Sequence, residues 1–350
     1  MAAILEGRHE SAWTALWGRL IQDRVGTLCL AVVLAYLILI LAAVVGLVSA
    51  DWRREIGVPY ANPALLGDTP QPGAQPSAGA VRRGPALDLS AVDPLAPKYA
   101  EWARRTEELK VGEPRRSLSL PWGGDRWGRD VLDKAIKGSQ VSIAVGVTAA
   151  LCAALIGTLL GALAGFYGGL RDDFLEWLYS VFTSIPSILL IFALAAVLRS
   201  GWLGQVFAGG IWTVVIILAA TGWTGMYRLV RAEYMKHRAR PYVLAAEAIG
   251  ASASARMFVH ILPNVSHVIL IQLSLLVVAF IKVEVILSFL GLGVPIDMVS
   301  WGTMLAEAQT ELVIGKWWQL AAATAFMAVF LTAFSMLTDS LRDALDPKLR

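Results

Sequence analysis

Six runs of apolar residues decide what this chain can fold into. They lie at about 25–49, 140–166, 175–198, 211–227, 265–287 and 318–341, each close to the ~20 residues a helix needs to cross ~30 Å of hydrocarbon. Lipid cannot satisfy open backbone groups, so runs of this kind cross it as helices. The expectation is an all-α membrane protein with six transmembrane helices. Composition agrees, with 57% of residues hydrophobic and 16% charged, against ~25% charged in a soluble domain. The first run is too long for a signal-peptide core and lacks a convincing cleavage site, which makes it a retained anchor. Cys29 and Cys152 each fall inside an apolar run and read as small buried hydrophobes, not as a disulfide framework or metal site.

Lys and Arg set the orientation. With the N-terminus inside, the inner segments hold Arg8, Arg19, Arg24, Arg171, Arg228, Arg231, Lys236, Arg238, Arg240, Arg256, Arg342, Lys348 and Arg350. The two short outer loops hold only Arg199 and Lys316, which is the positive-inside pattern. Both termini are therefore expected in the cytoplasm. The expected divisions are an N-terminal segment 1–24, a first transmembrane helix 25–49, an extracytoplasmic loop 50–138, a membrane core 139–341 and a tail 342–350. Arg beside Trp13 and Trp17 suggests that the N-terminal segment lies at the interface. A net charge of +3 is too small to point to nucleic acid.

The stretch 50–120 is rich in proline, which prevents long helices and sheet interiors. A short helix is expected near Lys98 to Leu109, where the prolines pause, with extended loop elsewhere. It reads either as a solvated insertion or as a lid or receptor-contact surface.

One polar interruption, 227–264, separates the fourth run from the fifth. In it Tyr242, Val243, Ala245, Ala246, Ala248 and Ile249 form an alanine-rich helix pattern, and Gly250 suits the left-handed position just past its end. Ser252 can then cap a second helix running through Met257 and Phe258 until Pro263 stops it. A helix–Gly–helix knob faced with alanines is suited to docking.

Chemistry-bearing patterns are scarce. No G-x-x-x-x-G-K-[ST] phosphate loop and no G-x-S-x-G nucleophile occur. Of the four histidines, His9, His237, His260 and His267, the last two lie seven apart near a helix start with no carboxylate at a ligand-like interval, so no metal site is expected. Gly128, Arg129 and Asp130 precede the second run as a turn and helix-start motif, or as part of an outer gate. Gly157, Gly161 and Gly165 permit close approach of a second helix, in this chain or a partner, and Pro186 is expected to kink the third run. Lys282 and Glu284 lie inside the fifth run, where a central charge costs ~2.5–3.5 kcal/mol. With Ser288 they are candidates for a translocation path, or for structural pairing and snorkelling.

The knob resembles the coupling loop of ABC-importer permeases, E-A-A, three residues, Gly, nine residues, I-x-L-P. Ala245 and Ala246, Gly250 and Leu262–Pro263 supply its parts. GRDVL (128–132), AGFYGG (164–169), HILPN (260–264), LSFLGLG (287–293), SWGTMLAE (300–307) and LRDALDP (341–347) are similar to the dipeptide/oligopeptide/nickel permease family, and to its C-type subunit in particular. Leu244 replaces the usual acidic residue, and His260 the isoleucine. Glu247, one turn on, is a possible substitute for that acid.

The resemblance implies a type I ABC-importer permease fold in the bacterial inner membrane. It implies a heterodimer with a second permease subunit, two ATPases that bind ATP and Mg, and an extracytoplasmic solute-binding protein, with no cofactor in this chain. Tyr242, Val243, Ala245, Ala246, Glu247, Gly250, Ala251 and Ser252 would then form the ATPase-coupling site within the loop 228–264. Short peptides are the implied cargo, with nickel chelates or another small solute as alternatives. A non-transporting membrane scaffold is the rival from another class, and a membrane enzyme comes third.

Overall fold

A computed structural model describes residues 22–70, 96–108, 116–199, 210–295 and 297–345. The N-terminal Arg–Trp segment, residues 71–95 and 109–115 of the Pro-rich stretch and the last five residues lie outside these. The chain divides into two compact units, residues 53–132 and the remainder, each described by itself.

The larger unit holds helices α1 (Arg24–Val45), α3 (Val131–Tyr167, its first two residues in the smaller unit), α4 (Gly169–Ser184), α5 (Ser187–Arg199), α6 (Ile211–Arg238) and α7 (Pro241–Ala248). It continues with α8 (Ala253–Phe289), α9 (Trp301–Val313) and α10 (Trp318–Leu345). Asp23 caps α1 through the Val25 N–H at 3.0 Å and also accepts from the Ser340 hydroxyl of α10 at 2.6 Å. That second bond holds the Asp23 carboxyl below its ordinary range. Further along, the Tyr36 hydroxyl donates to the Phe326 carbonyl at 2.9 Å and its ring lies 5.2 Å from that of Phe330. The first and last membrane helices are thus fastened side by side.

The three spaced glycines find their partner within this chain. A Cβ at Gly157, Gly161 or Gly165 would stand 2.6, 2.7 or 2.5 Å from the carbonyl oxygens of Trp223, Tyr227 and Arg231. Matching four-residue steps on α3 and α6 therefore bring the two backbones into near contact. Helix α8 closes the core, with Ile281 filling the space over Gly146 and Phe280 the space over Gly222.

Two expectations about proline need correction. Pro186 breaks the third run instead of kinking it, because α4 and α5 meet at 91°. Ile185, ahead of it, takes extended angles (φ −96°, ψ 132°), as a residue before proline prefers. Pro186 then opens α5, its carbonyl accepting from Leu189 and Leu190. Among the described residues, five helices are long and apolar enough to cross a membrane alone, and the sixth crossing exists if the bent pair is counted as one.

Pro263, for its part, stops nothing. A π-helical segment, Arg256–Ile261, precedes it, and the helix runs on to Phe289. Proline has no N–H to donate four residues back. The wider turn changes the pairing, so that the Leu262 N–H reaches the Met257 carbonyl, and the Asn264 side chain takes the His260 carbonyl at 2.7 Å. Such π segments are a recognised way to absorb a break. The fourth run likewise continues as helix to Arg238, so the polar interruption is partly an extension of the helices that flank it.

The smaller unit departs from the expected extended loop. It contains helix α2 (Ala96–Glu108), close to the expected place, and two parallel strands, β1 (Gly57–Pro63) and β2 (Ser117–Leu120). Both strands of a two-stranded sheet are edges, which is where Pro59 and Pro63 are tolerated. Ala61 and Leu120 are buried beneath the pair.

Candidate coupling site

The site is the exposed knob between α6 and α8, and its shape is set by backbone devices. Pro241 opens α7, its fixed φ already suited to the first helical turn and its missing N–H no loss there. Of the α7 residues, Val243 (2% exposed) and Ala246 turn inward, while Leu244, Ala245, Glu247 and Ala248 face outward. The two alanines of the motif therefore do different things, Ala246 packing the helix down and Ala245 lying on its open face. Ile249, at the end of that face, is 86% exposed.

Gly250 has φ +88°. The Ala251 N–H bonds the Ala246 carbonyl at 2.9 Å, and the Gly250 N–H bonds that of Glu247 at 2.9 Å. These are the two bonds of a Schellman cap, which requires a left-handed residue at this position. Ser252 begins the next helix by accepting from the Ala255 N–H at 3.2 Å. The expected turn and cap are both present.

Four contacts seat the knob. The Arg256 guanidinium pairs with Glu247 at 2.6 Å, and the Tyr234 hydroxyl donates to the Met257 carbonyl at 3.1 Å. His237 Nδ1 lies 2.8 Å from the Tyr242 hydroxyl, and Arg238 donates to the Phe166 carbonyl at 3.2 Å. Partial burial raises the Tyr242 phenol above its ordinary value, while Arg240 and Asn264 act in the opposite direction. Close by, Arg231 grips Asp172 through two bonds, at 2.5 and 2.9 Å, tying α4 to α6. Sequence reasoning missed Tyr234 and the Asp172–Arg231 pair. A carboxylate beside a membrane run was the available signal, with no partner assignable before the helices are placed.

The other expected site residues are more dispersed. Gly128 (φ +80°) sits so close to the Gly57 carbonyl that a side chain would collide with it. Asp125 accepts from the Trp127 and Arg129 N–H groups at 2.8 and 2.9 Å, and Asp130 caps α3 by accepting from Leu132 at 2.8 Å. The motif thus builds a turn and a helix start. In α8, Lys282 is exposed and Glu284 is fully buried, as two positions about 200° apart around a helix allow. Ser288, also buried, donates to Glu284 at 2.7 Å. The three expected path residues are therefore not one set: Lys282 stands apart from the Glu284–Ser288 pair.

A second buried polar group had no sequence signal. Lys134 (1% exposed) donates to Glu307 at 2.6 Å and to Gln319 at 3.2 Å, and Gln319 returns a bond to Glu307 at 3.0 Å. This joins α3, α9 and α10.

The family described as "Binding-protein-dependent transport system inner membrane component" matches residues 157–350. The chain belongs to this family. The match begins at the first of the spaced glycines and includes the whole knob. Similar proteins include the oligopeptide transport system permease protein OppC of Bacillus subtilis (strain 168), 35% identical over 73% of this chain and 81% of the relative. The dipeptide transport system permease protein DppC of the same organism is 36% identical over 67% and 74%. The glutathione transport system permease protein GsiD of Shigella dysenteriae serotype 1 is 38% identical over 73% and 80%.

Proposed function

We propose that this chain is the C-type permease subunit of an ATP-driven importer of short peptides. The observation that carries the reading is the exposed, glycine-terminated helix α7, held between two membrane helices and faced with small and apolar side chains. Relatives named for oligopeptide, dipeptide and glutathione transport support the cargo class. The chain contributes a membrane path and a docking surface, while two partner ATPases bind ATP and Mg. A second permease subunit completes the path, and an extracytoplasmic binding protein delivers the peptide.

In this reading the knob and both termini are cytoplasmic, as the Lys and Arg distribution requires. ATP-driven closure of the ATPases moves α7, and the rigid Gly250 turn passes the displacement into α8. Alternating access then follows from a two-state element biased by a partner. Tyr242, Val243, Ala245, Ala246, Glu247, Gly250, Ala251 and Ser252 form the coupling site, Val243 and Ala246 acting from beneath. Lys282 is the path candidate on the open face of α8. The test is to reconstitute the chain with its partner subunits and measure ATP hydrolysis. Stimulation by binding protein loaded with a short peptide is expected, and hydrolysis indifferent to every loaded binding protein would overturn the reading.

A further inference from the structure

We infer that Glu284, with Ser288, is a positioning residue that fastens the far end of α8 to α9, so that displacement at the knob moves both helices together. The inference rests on the coupling role proposed above. Helix α8 runs unbroken from the Ser252 cap to Phe289. Whatever moves its first turn is carried along its length, and the remaining question is what its other end holds.

That end holds a buried polar junction. The Glu284 carboxylate has no exposure, accepts from Ser288, and is flanked by the hydroxyls of Ser142 on α3 and Ser300 at the start of α9. Ser288 in turn accepts from the Val294 N–H at 3.2 Å, pinning the turn that leads to α9. Ser142 accepts from the Trp301 N–H at 3.2 Å, and Ser300 caps α9 through Thr303 at 3.2 Å.

The backbones around this junction are equally close. A Cβ on Gly302 would stand 2.5 Å from the Val285 carbonyl, and one on Gly138 would stand 3.2 Å from the Ser300 carbonyl carbon. A Cβ on Gly293 would collide with Ser288 itself. Helix α9 is thus held against α8 by the close approach at Gly302 and by the turn that Ser288 pins, and against α3 by Ser142. Sliding it along α8 would break the Ser288–Val294 bond in a low-dielectric interior, where unmade hydrogen bonds are costly. Glu284 Oε2 has no hydrogen-bond partner among the described residues. An apolar residue would fill this position at less cost in lipid, so the carboxyl is better accounted for by the contacts it organises than by packing alone.

The experiment uses the complete transporter, reconstituted with its partner subunits, and reads peptide imported per ATP hydrolysed together with the amount of assembled complex. Glu284→Leu is expected to assemble like the parent and to lower the import ratio about tenfold or more. Glu284→Gln, which keeps the shape and can still accept from Ser288, should restore the ratio to within about twofold. A Glu284→Leu complex with the parental ratio overturns the inference. So does a ratio left intact while assembly falls, which is the mark of a purely structural role. Should Glu284→Leu fail to assemble, Ser288→Ala, which deletes one hydroxyl, decides: a lowered ratio supports the inference and a parental one overturns it. A parent complex whose hydrolysis ignores loaded binding protein would instead fail the functional proposal itself.

Discussion

The two ends of α8 are built in opposite ways. At the knob, side chains are exposed, the anchors beneath are as small as Val243 and Ala246, and backbone geometry at Gly250 sets the shape. At the far end, Glu284, Ser288 and Ser300 are buried, and glycines bring the backbones together. A surface that a partner moves must be accessible and hold its own shape. A junction that passes motion on must resist slippage.

The largest expected effect breaks the exposed end. Gly250→Val places a β-branched residue at φ +88°, where an L-residue costs ~1–2 kcal/mol. Nothing lies within 4 Å of a Cβ there, so the damage comes from the backbone and not from a clash. Uptake should fall about tenfold or more with membrane insertion intact, and Gly250→Asn, which tolerates this conformation, should recover much of it. Normal uptake by the valine variant would remove the turn from the mechanism.

Next comes the second buried group. Stranding one member of a buried ion pair costs ~3–5 kcal/mol, and because Glu307 keeps some exposure, about 2–3 kcal/mol is expected for Lys134→Met. Thermal unfolding in detergent measures it. Gly161→Ala tests the connection between the ends: its Cβ would stand 2.7 Å from the Tyr227 carbonyl, so α3 and α6 must part at about 1–2 kcal/mol. The smallest effect belongs to Arg256→Ala. Its partner Glu247 is 56% exposed, and such pairs contribute about 0–1 kcal/mol. A larger loss of stability there would mean that the knob is held from below more firmly than its small, exposed contacts suggest.

Much of this was legible in the sequence because single residues carried it. Gly250 and Ser252 marked the two caps, the three spaced glycines marked a close crossing, and the apolar runs marked the membrane helices. What escaped depended on pairing across the chain. The β1–β2 sheet joins Gly57 to Ser117, and proline density hid it because only an edge strand can hold Pro59. Pro263 looked like a stop because the rule concerns α-helical bonding, and the π turn replaces that bonding. Helical spacing puts Glu284 and Lys282 on different faces, and only the placement of α3 and α9 shows that the Glu284 face is the buried one. Lys134 gave no sign of burial, since its partners lie on two later helices.

Partner ATPases should cover the face that ends at Ile249. Ile249→Cys can be labelled with a membrane-impermeant maleimide in inside-out vesicles, with and without those ATPases. Rapid labelling without the ATPases and protection with them is the predicted result. Equal labelling in both would contradict the proposal that this face is where the driving subunits dock.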